Sequence, residues 1–236
     1  MCIRDRIIGT GQIDSPGVPG KVYHSQKHPR FGNSNPEEVR YTFWMDMIQS
    51  DVSAWHARDK YDDTAYDSSK PVWCYERFGR TTNRLPDGRI IEIAGEHEDS
   101  YDPDFCIYND VVVFESDSTY RIFCYPEADF PPIDFHTSTL VDDKIIIVGC
   151  LGYPESRRVG QTPVYSLDIN TFGISSLSTS GEAPGWISSH KTRLVNRELI
   201  VSGGEVWIKR AGSFDMASNH RQYTLCLASL IWRIGE

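Results

Sequence analysis

The chain has 236 residues, with 24 Lys+Arg against 33 Asp+Glu and a formal net charge of −9. Hydrophobic residues make up 39%, enough to bury a core and to exclude a disordered or collagen-like polymer. The acidic balance argues against a nucleic-acid backbone or an anionic membrane surface as the main partner.

Residues 1–6, Met-Cys-Ile-Arg-Asp-Arg, resemble a translated sequencing-adaptor end and are set aside from fold reasoning; a natural Met-Cys start is the other reading. If they are foreign, the natural start is missing and the lack of a signal peptide says little about location. Residues 7–72 read as an N-terminal arm. Residues 7–34 lack periodicity and read as an extended arm or the remnant of a preceding element. Asn35 then suits a helix N-cap, with Pro36 at the first helical position and Glu38 three residues after the cap. Val39, Phe43, Trp44, Met47 and Ile48 follow as one helical stripe, which packs inward or serves as a partner-binding face. Ser50 or Asp51 caps a second short helix bearing Val52 and Trp55, and the polar run Asp62–Lys70 is a linker.

From residue 73 the pattern changes to short strands between turns, predicting an all-β architecture with seven or more strands. Strand composition occurs at 89–94, 107–114, 120–124, 144–148, 164–167, 198–201 and 223–227, with tight-turn sequences at 85–89 and 141–144. The run 144–150 is the most apolar and falls far short of the roughly 18 residues of a membrane-spanning helix, so the chain reads as soluble. Cys74, Cys106, Cys124, Cys150 and Cys226 are odd in number and lack zinc-ligand spacing, which points to a reducing, cytoplasmic compartment.

The sequence repeats itself. Phe78-Gly-Arg-Thr-Thr82, Phe135-His-Thr-Ser-Thr139 and Ser189-His-Lys-Thr-Arg193 each precede a turn and an apolar strand. Those strands end at Ala94-Gly95, Gly149-Cys150 and Gly203-Gly204. A period near 50 with four strands per unit is the pattern of a β-propeller blade. On these residues the chain resembles the kelch family of galactose-oxidase-like propellers. Kelch blades carry a Gly-Gly pair, then a Tyr and later a Trp. The third unit matches with Gly203, Gly204, Tyr223 and Trp232; the second has Gly149, Tyr165 and Phe172; the first has Gly95 and no Trp. The resemblance implies units at 73–132, 133–185 and 186–236, with His136 and His190 structural at equivalent positions. Three units are too few for a ring, so either the propeller is incomplete or a short protein pairs with a second copy.

Candidate chemistry concentrates in one loop. Glu96, His97, Glu98, Asp99, Asp102 and Asp104 fall within nine residues. Such a loop reads as solvated acid, as a surface for a basic partner or, without the spaced motif of a calcium-binding helix pair, as a Ca²⁺ site. The equivalent loop of the second unit offers Tyr153, Arg157 and Arg158, residue types used in interfaces or, equally, to pair the acidic loop internally. The third loop, 205–221, carries Lys209, Arg210 and His220. No nucleophile elbow, phosphate loop or metalloprotease motif occurs, nor the repeated box of sialidases or the copper-ligand set of galactose oxidase. No catalytic or metal-ligating residue is assigned. The expected function is a binding module that presents its loops to a protein or small polar ligand. The alternative is an enzyme acting on a carbohydrate-like or other polar substrate through loop carboxylates.

Overall fold

The computed structural model describes residues 17–64, 70–97 and 100–235. Residues 1–6, Glu98 and Asp99 lie outside them. Among the described residues no helix is long and apolar enough to cross a membrane.

Three helices come first: α1 (Gly20–Gln26), α2 (Thr42–Ser50) and α3 (Ala54–Lys60). A short strand, β1 (Glu37–Val39), lies between α1 and α2. Three mainly antiparallel sheets follow. The first contains β2 (Thr81–Arg84), β3 (Ile90–Ile93), β6 (Val111–Phe114) and β7 (Tyr120–Cys124), with β1 added along β7. A two-residue pair, β4 (Glu96–His97) with β5 (Cys106–Ile107), sits in the loop between β3 and β6. The second sheet is β8 (Thr137–Val141), β9 (Lys144–Val148), β10 (Val164–Asp168) and β11 (Ile174–Ser176). The third is β14 (Lys191–Val195), β15 (Glu198–Ser202), β18 (Gln222–Cys226) and β19 (Ile231–Ile234), with β12 (Ser180–Gly181) added parallel to β19. Between β15 and β18 a hairpin, β16 (Glu205–Arg210) with β17 (Ser213–Ser218), pairs at its root with β13 (Ile187–Ser188).

Apolar strands explain the stacking. β3 and β6 are buried at every position, so both faces of the first sheet are covered. One face, with Ile90, Val112, Phe114 and Ile122, meets Phe43, Trp44, Met47 and Ile48 of α2. Trp44 stacks on Trp73 at 4.8 Å. The other face, with Ile91, Ile93, Val111 and Val113, meets Ile145, Ile147 and Leu167 of the second sheet. Ile146, Val148 and Val164 then meet Leu199, Val201, Tyr223, Leu225 and Trp232 of the third.

The junctions between sheets repeat. Phe135 N–H donates to the Gly79 carbonyl and Ser189 N–H to that of Phe135, each at 2.8 Å. Gly95 N–H reaches the Ile133 carbonyl and Cys150 N–H that of Ile187, each at 2.9 Å. His136 Nε2 pairs with Thr81 Oγ1 at 2.8 Å, and His190 Nε2 with Thr137 Oγ1 at 2.9 Å. Gly79, Phe135 and Ser189 all hold positive φ, at 61°, 46° and 54°. These contacts align the innermost strands β2, β8 and β14, so loops 94–110, 149–163 and 203–221 leave from the same end of the stack.

Three expectations are corrected here. The helix foreseen from Asn35 begins instead at Thr42, because residues 37–39 pair along β7 and Glu38 is held by Arg121 at 2.8 Å. The second helix is capped by Ser53, not by Ser50 or Asp51. The interval 7–34, expected to be extended, holds α1, whose buried Tyr23 lies in the same cluster as Phe43. The arm thus carries three helices among the described residues. Phe43, Trp44, Met47 and Ile48 point inward, and Trp55 stays exposed.

Burial lowers the His136 pKa to about 3 and the His190 pKa to about 4, against an ordinary 6.5. Both rings are therefore neutral in the fold, and the unfolded chain binds more protons below pH 6.5. Stability should be fully present above pH 6.5 and fall as pH drops toward 4, at up to about 1.4 kcal/mol per pH unit for each ring. Urea unfolding between pH 7 and 5 checks this: a His136→Gln/His190→Gln chain should show a flatter slope than the native one. Equal slopes would contradict it.

Candidate functional site

The loop end is assembled from all three sheets. Its acidic loop is only partly an open acidic surface. Glu96 and His97 form β4, and His97 is buried with Nδ1 donating to the Glu76 carbonyl at 2.8 Å. Asp104 is 3% exposed, and its carboxylate accepts from Arg58 Nε and Nη2, both at 2.7 Å, and from Val72 N–H at 2.8 Å. Arg58 also reaches Asp63, which in turn holds Lys27 and the Tyr23 hydroxyl, each at 2.6 Å. Asp104 therefore fastens the helical layer to the first sheet. Asp102 is half-buried and accepts from Asp104 N–H at 2.7 Å.

The expected internal pairing of this loop with Arg157 and Arg158 is corrected for Asp104, because α3 brings the buried Arg58 to it instead. Arg157 lies near Asp134, a fully buried carboxylate that takes Gly152 N–H at 2.6 Å and has the Glu96 carboxyl as a hydrogen-bonding neighbour. Burial raises the Asp134 pKa, opposed in part by the Gly152 N–H and the Glu96 carboxyl. Arg157 donates to the Leu151 and Gly152 carbonyls at 3.1 and 3.0 Å. Arg158 is exposed and donates to the Glu155 carbonyl at 2.6 Å.

Tyr153 links the first two loops: its hydroxyl accepts from Ile107 N–H at 2.9 Å, and its ring meets Phe105 edge-on at 5.9 Å. Burial pushes its phenol far above the ordinary range. Tyr153, Ile107, Tyr108, Phe31 and Pro132 line a cleft of about 190 Å³ between the arm and the loops. Cys106, on the same cleft, has its thiol pushed up to about 12 by burial and is no thiolate nucleophile at neutral pH.

The third loop is the hairpin β16–β17. Trp207 and Phe214 lie parallel on it, with ring centroids 5.7 Å apart. Arg157 from the second loop covers Trp207 at 4.9 Å, and Lys209 lies 5.7 Å from the Phe214 ring centre. Phe214 is 54% exposed. Sequence reasoning took 205–221 as a loop and missed Trp207 and Phe214. The turn Ala211-Gly212 between two runs of strand length was the available signal. Of the repeat residues, Tyr223 and Trp232 are buried, with Trp232 Nε1 donating to Thr179 Oγ1 at 3.1 Å, and Tyr165 meets Phe130 edge-on. Gly95, Gly149, Gly203 and Gly204 all sit at positive φ.

Among the described residues no group of three or more His, Cys, Asp or Glu could hold a metal ion. No family model and no curated protein matches this sequence.

Removing the Asp104 carboxylate leaves Arg58 buried with only a weaker partner. Asp104→Ala should cost about 3–5 kcal/mol of stability, against about 1 kcal/mol for Asp102→Ala. Denaturant titration of both chains checks the contrast, and equal tolerance at the two positions would contradict it.

Proposed function

We propose that the chain is a kelch-like β-propeller segment acting as a binding module, with units at 73–132, 133–185 and 186–236 and the helical arm as a one-sided cover. The repeated junctions at His136 and His190 and the adjacent inner strands support the propeller reading. The observation carrying the binding reading is the exposed Phe214 ring, stacked on the half-buried Trp207 and flanked by Arg157 and Lys209. Aromatic rings with cations at their faces are what interface hot spots use. A hairpin reaching beyond its sheet is poorly justified by the fold's own stability, since two strands alone are marginal in water.

The partner is a protein or a small polar ligand that meets the loop end, with Tyr153, Arg158 and the exposed part of the acidic loop as neighbouring contacts. A Ca²⁺ role for residues 96–104 draws less support, because Asp104 is engaged by Arg58. Catalysis by the same carboxylates is weakened for the same reason.

The test is affinity capture with the native chain and with Phe214→Ser. Phe214 is 54% exposed, so the thermal midpoint should change little. The recovered partner should fall at least about tenfold in the variant, as hot-spot truncations typically produce. Equal recovery by both chains, or a native chain that captures nothing, would contradict the assignment.

A further inference from the structure

At the two junctions between described sheets, each unit receives the next through the same main-chain contacts. The N–H after the left-handed strand end donates forward, from Gly95 to Ile133 and from Cys150 to Ile187. The carbonyl of the left-handed corner accepts, at Gly79 from Phe135 and at Phe135 from Ser189. A third set is half made. Gly204 N–H, equivalent to Gly95 and Cys150, meets no acceptor among the described residues, and the Ser189 carbonyl meets no donor. Gly203 holds φ +67°, the same as Gly149. A Cβ at Gly149 would collide with the next unit's Ile187 carbonyl and His190 ring, whereas one at Gly203 would meet open space.

The third sheet also differs from the others in burial. Leu199, Val201, Tyr223 and Leu225 are buried toward the second sheet. Ile200, Ser202, Thr224 and Cys226, on the opposite face, are half-exposed. The corresponding strands β3 and β6 of the first sheet are buried on both faces. Cross-strand pairing puts Lys191 opposite Ser202 and Arg193 opposite Ile200, so both cations share this open face. Both are exposed and lack an ion pair with any described residue. Lys191 stands where the earlier junctions have Thr81 and Thr137.

We propose that the open face of the third sheet docks a fourth four-stranded antiparallel unit whose inner strand is acidic, bringing a backbone carbonyl to Gly204 N–H and an N–H to the Ser189 carbonyl. The main-chain contacts are those of the two junctions already formed, and the acidic strand answers Lys191 and Arg193. A second copy of the chain fits poorly. Its first sheet is covered by the helices, its inner strand there bears Arg84, and its own third sheet would oppose Lys191 and Arg193 with the same charges.

Cys226 reports on this face, because Cys74, Cys106, Cys124 and Cys150 are buried. The full chain, with Cys2→Ser, is extended after Gly235 by a copy of residues 177–235. That added copy carries Thr192→Glu, Leu194→Glu and Cys226→Ser, the first two on the face it turns toward the original third sheet. The original Cys226 should then react with iodoacetamide roughly tenfold or more slowly than in the unextended chain, since reaction would require the covered face to open. An extension keeping Thr192 and Leu194 should protect it less. A folded extension that leaves the rate unchanged would overturn the proposal. So would an extension that remains protease-sensitive, because the face is held to supply the surface such a unit needs. Protection that appears in the unextended chain as its concentration rises, with dimer formation in sedimentation, would overturn it in favour of a second copy.

Discussion

The left-handed corner that precedes each inner strand is the constraint on which the remainder depends. At Phe135 and Ser189 a side-chain-bearing residue is held at positive φ, a conformation costing roughly 1–2 kcal/mol. The return is geometric. Each corner places its N–H on the preceding corner's carbonyl, and the next residue, His136 or His190, on a threonine of the preceding inner strand. Spacing and direction between sheets are thereby fixed. Only with that spacing do Ile91, Ile93 and Val111 meet Ile145 and Ile147 without leaving apolar area in water.

The same alignment decides where function can lie. Because equivalent strands end at one end of the stack, three loops of unrelated sequence come together there. The fold uses some of their charges itself. Asp104 holds Arg58, and Asp134 is buried between backbone donors and Glu96, so neither is available to an incoming group. The exposed features at this end include Phe214, Lys209 and Arg158 beside the carboxylates Glu155, Glu205 and Asp215.

Much of the stack was legible because its signals are local. The turn Leu85–Arg89 closes through Leu85 N–H to the Arg89 carbonyl, and strands 120–124 and 144–148 have the expected bounds. The inner strands were visible as repeated motifs and not as strands: Thr81–Arg84 contains no apolar residue, because it pairs on a polar inner edge. Helix α1 has no side-chain cap and one buried residue, Tyr23, so neither periodicity nor capping marks it. Pro36 and Glu38 have the local form of a helix start, yet pairing with β7, more than eighty residues away in the chain, overrides it. Asp104 was misread for the same reason. Its partner Arg58 lies 46 residues upstream, and nothing around either residue announces the pair.

Amide hydrogen exchange at the junctions tests the account most directly. If the corners set the stacking, the amides of Gly95, Phe135, Cys150 and Ser189 should exchange only with global unfolding, as slowly as those in the middle of β9. Exchange at these four positions that is orders of magnitude faster than in β9 would contradict it, because the sheets would then be packing without the junctions that are held to align them.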